Sequence, residues 1–104
     1  MNDNKIIRDY LDSQSQCIDE LMRNNLPTIK TIFHIIKKAK IHGNIIYIMG
    51  NGGSASTATH FASDLLKTSL TKNTKKIKAF SLSDNTPVML AWANDTSYED
   101  IFKK

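Results

Sequence analysis

The chain has 104 residues, 40% of them hydrophobic, and a formal net charge of +4. That balance excludes a disordered tail and allows one core of modest size. The longest apolar run, Ile45 to Met49, is far short of the ~20 residues needed to cross a bilayer, and MNDNKIIRDY lacks a basic region followed by a long apolar one. The expectation is a cytoplasmic protein with no membrane partner.

From Ile6 the apolar residues Ile6, Ile7, Tyr10, Leu11, Cys17, Ile18, Leu21 and Met22 fall three or four apart, which predicts an amphipathic helix with one apolar face. Cys17, the single cysteine, cannot form an internal disulfide and reads as a small buried hydrophobe on that face. Pro27 suits the first turn of a second helix, which continues through Ile29, Ile32, Phe33, Ile36 and Ala39 until His42-Gly43-Asn44 stops it. Ile45 to Met49, β-branched and aromatic without alternation, predicts a parallel strand covered on both faces and central in its sheet.

A helix is expected from about Ser54 to Leu66, then a polar connection from Lys67 to Lys76, then a strand from Ile77 to Leu82. Strand, helix and strand at this spacing form a βαβ unit with parallel strands. SDNTP supplies an N-cap and Pro87 the first helical position of a short helix to about Ala93, and Ser97 would cap a further one. Much of the positive charge is local, in Lys67, Lys72, Lys75, Lys76 and Lys78. No aromatic residue interleaves with these lysines to stack bases, so a solvated loop explains them and no nucleic-acid partner is expected. Two parallel strands are too few for a stable α/β sheet, and the sequence reads as the front part of a larger domain.

The chemistry concentrates in Gly50-Asn51-Gly52-Gly53-Ser54-Ala55, between the first strand and the helix after it. Bare glycines let backbone N–H groups approach a ligand, and the carboxyl end of a parallel strand feeding a helix N-terminus suits an anion or a sugar. The stretch matches G-x-G-x-x-A, and Asp84 after the next strand could serve as a ribose-binding acid, so a dinucleotide site is a rival reading. A nucleoside-triphosphate loop is disfavoured, because no Gly-Lys-Ser/Thr follows the glycines. His60 and Asp64, four apart on the predicted helix, share a face and could share a divalent metal or a substrate proton. Two ligands are one short of a usual catalytic set.

GNGGSASTATHFASDLLK and SLSDNTPVMLAWANDTSYEDIF, in that order and behind two helices, resemble the phosphoheptose (sedoheptulose 7-phosphate) isomerases of the sugar-isomerase, or SIS, class. The resemblance covers nearly the whole chain. It implies an α/β fold, the N-terminal portion of a three-layer α/β/α parallel-sheet, Rossmann-like SIS domain, with residues 1–43 as a helical segment and 44–104 as the βαβ core. It further implies an aldose–ketose isomerase of lipopolysaccharide or capsule heptose biosynthesis, working through an enediolate, often with zinc, usually as a homotetramer. By the same resemblance Asn51, Gly52, Gly53 and Ser54 contact substrate, as do Asn94 and Asp95, and His60 is a metal ligand. Asp64 falls where many members carry a glutamate that binds metal and moves the proton, and aspartate is one methylene shorter. The family's serine-rich phosphate loop and its later glutamine and histidine would lie beyond Lys104. A truncated or split enzyme is therefore expected, with a non-catalytic sugar-phosphate-binding module as the alternative.

Overall fold

The computed structural model describes residues 2–68 and 75–103, so part of the predicted polar connection, Lys72 included, lies outside the described residues. Two compact units meet inside the second helix, one running to Ile35 and the other starting at Ile36.

In the first unit, α1 spans Asp3–Asn24. Asn2 caps it by accepting the Lys5 N–H on its side-chain oxygen, and Asp3 and Arg23 lie at the ends where their charges oppose the helix dipole. α2, Leu26–His42, follows after Asn25 alone, with Pro27 in its first turn as expected. Neither helix buries a residue. The apolar stripe of α1 is on the surface, and Cys17 is exposed rather than buried, because no element covers that face among the described residues.

The second unit contains β1 (Ile45–Ile48) and β2 (Lys78–Ser81), which pair in parallel from Ile45 opposite Lys78 to Ile48 opposite Ser81. Between them comes α3, Gly53–Ser63, which continues into a π-helical turn over Asp64–Thr68. α3 packs on both strands. The core is small: Ala62, Ile77 and Ala79 are buried, with Ile36, Ile46, Ile48 and Leu65 packed against them.

β1 departs from its expected environment. Its burial alternates, so Ile46 and Ile48 turn toward the core while Ile45 and Tyr47 face outward. Tyr47 and Phe80, opposed in register, place their rings 6.4 Å apart on the uncovered face, at 58% and 54% exposure. A strand covered on both faces needs a layer on each side, and among the described residues α3 supplies one.

Beyond β2, Asn85 caps α4 (Thr86–Asp95) by accepting the Val88 N–H on its side-chain oxygen, and Pro87 stands in the first turn, at the second helical position rather than the expected first, because Thr86 opens the helix. The expected final helix is a short 3₁₀ turn, Tyr98–Asp100. Ser97 precedes it without capping a backbone N–H, since its hydroxyl donates to the Asp100 carboxylate at 3.3 Å.

Candidate functional site

The glycine turn follows β1 directly, and its three glycines answer different demands. A Cβ on Gly50 would run into the backbone carbonyl of Ser54, so the close approach of strand end and helix start requires a bare residue there. Gly52 has φ +55° and ψ −126°, and the Ser54 N–H donates to the Asn51 carbonyl at 2.9 Å, the sign pattern of a type II′ turn with glycine at its first central position. Gly53 opens α3 with free space where a Cβ would stand and no positive φ. The removal of every Cβ is thus forced at two positions and not at the third.

No side chain caps α3, and its first turn carries no acid. The Ser54 and Ala55 amides turn back to the carbonyls of Asn51 and Gly52 at 2.9 and 3.0 Å. Among the described residues the amides of Asn51, Gly52 and Gly53 donate to no protein acceptor. Exposed donors at the positive end of a helix form an anion-attracting surface.

Along the same helix, His60 Nε2 stands 3.6 Å from Asp64 Oδ1, with the two side chains 81% and 51% exposed. A contact this exposed contributes only ~0–1 kcal/mol to stability. Asp64 begins the π-helical turn, and its N–H reaches the carbonyls of both His60 and Phe61. Such widened turns recur at functional sites. His60 and Ser56 both line two open depressions. The first is completed by Thr57, Phe61 and Asp64, the second by Ala55, Thr59, Ser63 and Ser83.

Two ligands on a tetrahedral zinc at ~2.0–2.1 Å lie about 3.3 Å from each other, so the His60 and Asp64 atoms have close to the required bite. Among the described residues no third His, Cys, Asp or Glu joins them.

Asn94 and Asp95 end α4, where the Asn94 amide donates to the Asp95 carboxylate at 3.2 Å. The strongest packing of α4 is on the 3₁₀ turn after it, and among the described residues no hydrogen bond brings this pair to the glycine turn. Asp84, the acid of the dinucleotide reading, accepts the Thr59 hydroxyl of α3 at 2.6 Å and so has one oxygen already engaged.

Sequence reasoning missed Ser81 and Ser83. Both are buried at the carboxyl end of β2, where Ser83 hydrogen-bonds with Gly50. The available signal was their place, since small polar residues at the end of a parallel strand lie where ligands of such sheets bind.

No family model matches the chain. It is 33% identical over 98 residues to the phosphoheptose isomerase of Thermodesulfovibrio yellowstonii, an alignment covering 94% of this chain and 48% of that protein. With the phosphoheptose isomerase of Alteromonas mediterranea it is 40% identical over 76 residues, 73% of this chain and 38% of that one. Along most of its length the chain is thus similar to phosphoheptose isomerases. It spans about half the length of the first of these relatives. The solved structure of phosphoheptose isomerase GmhA from Neisseria gonorrhoeae matches it with a TM-score of 0.73 at 20% identity, over 97% of this chain and 50% of that one. Its fold is therefore that of the corresponding half of a phosphoheptose isomerase, two leading helices followed by a parallel βαβ unit.

Proposed function

We propose that this chain carries the sugar end of a phosphoheptose isomerase site, acting on sedoheptulose 7-phosphate to give the aldose heptose phosphate. The observation that carries the reading is the pairing of His60 with Asp64 on the helix that opens, uncapped, at the glycine turn. Similarity to phosphoheptose isomerases supports the substrate class.

The Asn51, Gly52 and Gly53 amides and the Ser54 hydroxyl hold the polar end of the sugar phosphate, fixing the reacting carbons relative to α3. Asp64 takes the proton from the carbon beside the ketose carbonyl and returns it to the former carbonyl carbon, which becomes the new carbinol. A proton passes between the two oxygens in the same sense, so ketose becomes aldose through an enediolate with no net gain or loss. His60 and Asp64 are the residues that would hold zinc or a similar divalent ion, whose chemistry is to polarise the carbonyl where the oxyanion develops. Asn94 and Asp95 complete the substrate contacts. The working protein is a homo-oligomer associating through the exposed stripe of α1.

Two metal donors are short of the three that a catalytic zinc takes from protein, so the chain alone binds substrate without appreciable turnover. The test titrates sedoheptulose 7-phosphate and NAD in parallel, following amide chemical shifts. Millimolar-class binding of the sugar phosphate at Gly52 and Gly53, roughly −4 kcal/mol, is expected. Preference for NAD, or no response to the sugar phosphate, overturns the reading.

A further inference from the structure

We propose that Ser83 is a positioning residue for the glycine turn, its hydroxyl holding Gly50 from both sides so that the Asn51, Gly52 and Gly53 amides keep one direction. The inference rests on the reading of that turn as the sugar-phosphate contact. The Ser83 hydroxyl donates to the Gly50 carbonyl at 2.9 Å, and the Gly50 N–H donates back to the same oxygen at 3.3 Å. Both peptide groups of Gly50 are thus satisfied by the hydroxyl of one residue that is only 9% exposed.

The arrangement replaces a rung of the sheet. The Leu82 N–H reaches the Ile48 carbonyl at 2.8 Å, and in a parallel ladder the next rung would engage Gly50 with the backbone around Ser83. Instead the Asp84 N–H turns back to the Ser81 carbonyl at 3.3 Å, and the strands part. Ser83 spans the opening, so the chain can leave the sheet at Gly50 while its peptide planes stay fixed. Ser83 is itself held, its N–H donating to the Ser81 hydroxyl at 3.2 Å, and Ser81 Oγ lies 3.4 Å from the Thr59 hydroxyl of α3. Thr59 directly precedes His60. One chain of hydroxyls therefore ties the turn to the helix bearing the His60–Asp64 pair, and Ser83 lines the same depression as His60.

The experiment follows amide hydrogen exchange and chemical shifts on the full chain for wild type, Ser83→Ala and Ser83→Thr, with inorganic phosphate and with sedoheptulose 7-phosphate. In Ser83→Ala, exchange at Gly50 and the following turn amides is expected to rise, and affinity for both probes to fall about tenfold, the loss of two modest hydrogen bonds. Ser83→Thr, which keeps the hydroxyl, restores both. Unchanged turn amides in folded Ser83→Ala overturn the proposal, as does failure of threonine to rescue. If Ser83→Ala does not fold, Ser83→Cys takes its place with the same expected changes and the same refutation. A wild type that binds neither probe, with Gly50 exchange still dependent on Ser83, upholds the positioning role and removes the sugar-phosphate reading instead.

Discussion

His60 Nε2 and Asp64 Oδ1 face each other across 3.6 Å, one turn apart and where α3 widens into a π-helical turn. That spacing is a two-ligand bite, so zinc or cobalt(II) added to the chain should shift the His60 ring resonances. Followed by the backbone amide shifts of α3, metal binding should be abolished by His60→Ala and weakened roughly tenfold, about 1.4 kcal/mol, by Asp64→Asn. Binding unaffected by either change would move the metal elsewhere.

The three glycines make a graded series. Gly50→Ala, whose Cβ meets the Ser54 backbone, and Gly52→Ala, forced to φ +55°, should each lower stability by about 1–3 kcal/mol. Gly53→Ala, in open space at the helix start, should be neutral or stabilise by up to about 1 kcal/mol through the unfolded state. Denaturant midpoints of the three variants give the order directly.

Ile77 is 6% exposed in a core that contains little besides alanine and partly buried isoleucine. Ile77→Ala should cost about 2–4 kcal/mol and leave the second unit without a cooperative unfolding transition. Scanning calorimetry tests this, and a shift of only a degree or two would mean that the packing around Ile77 matters less than its burial indicates.

Ile7, Leu11, Ile18 and Met22 are all more than half exposed along one face of α1. Under the proposed association through this stripe, sedimentation should find oligomers, dispersed by Ile18→Glu. A compact monomer at micromolar concentration would argue against association through α1.

With sedoheptulose 7-phosphate and zinc, the chain alone should give aldose at or near the uncatalysed rate. Product formation above that rate and lost in Asp64→Asn would show that this chain assembles a complete proton-transfer site.

The strand, turn and helix around Gly50 were legible because β-branched runs, glycines and small residues each speak for a local conformation. Burial was not. Ile45 to Met49 reads as continuous apolar, yet only Ile46 and Ile48 meet the core, because coverage depends on layers that the run itself does not encode. Cys17 failed for the same reason, a helical stripe identifying a face without saying what lies against it. The His60–Asp64 pair followed from helical spacing. The π-helical turn beginning at Asp64 had no signal in the sequence, and Ser83 becomes visible only once the two strand ends lie side by side.

Gly50 and Ser83 are 33 positions apart, as are the paired residues of the two strands. At ~5–20 residues per second, a ribosome takes roughly two to seven seconds to deliver the partner strand after β1 has emerged. Over that interval the nascent chain has the glycine turn without its clasp and Ile45 to Ile48 without a neighbour, a short apolar segment open to mispairing. Translation speed between Asn51 and Phe80 therefore bears on yield: pauses there lengthen the exposure, and rapid passage shortens it.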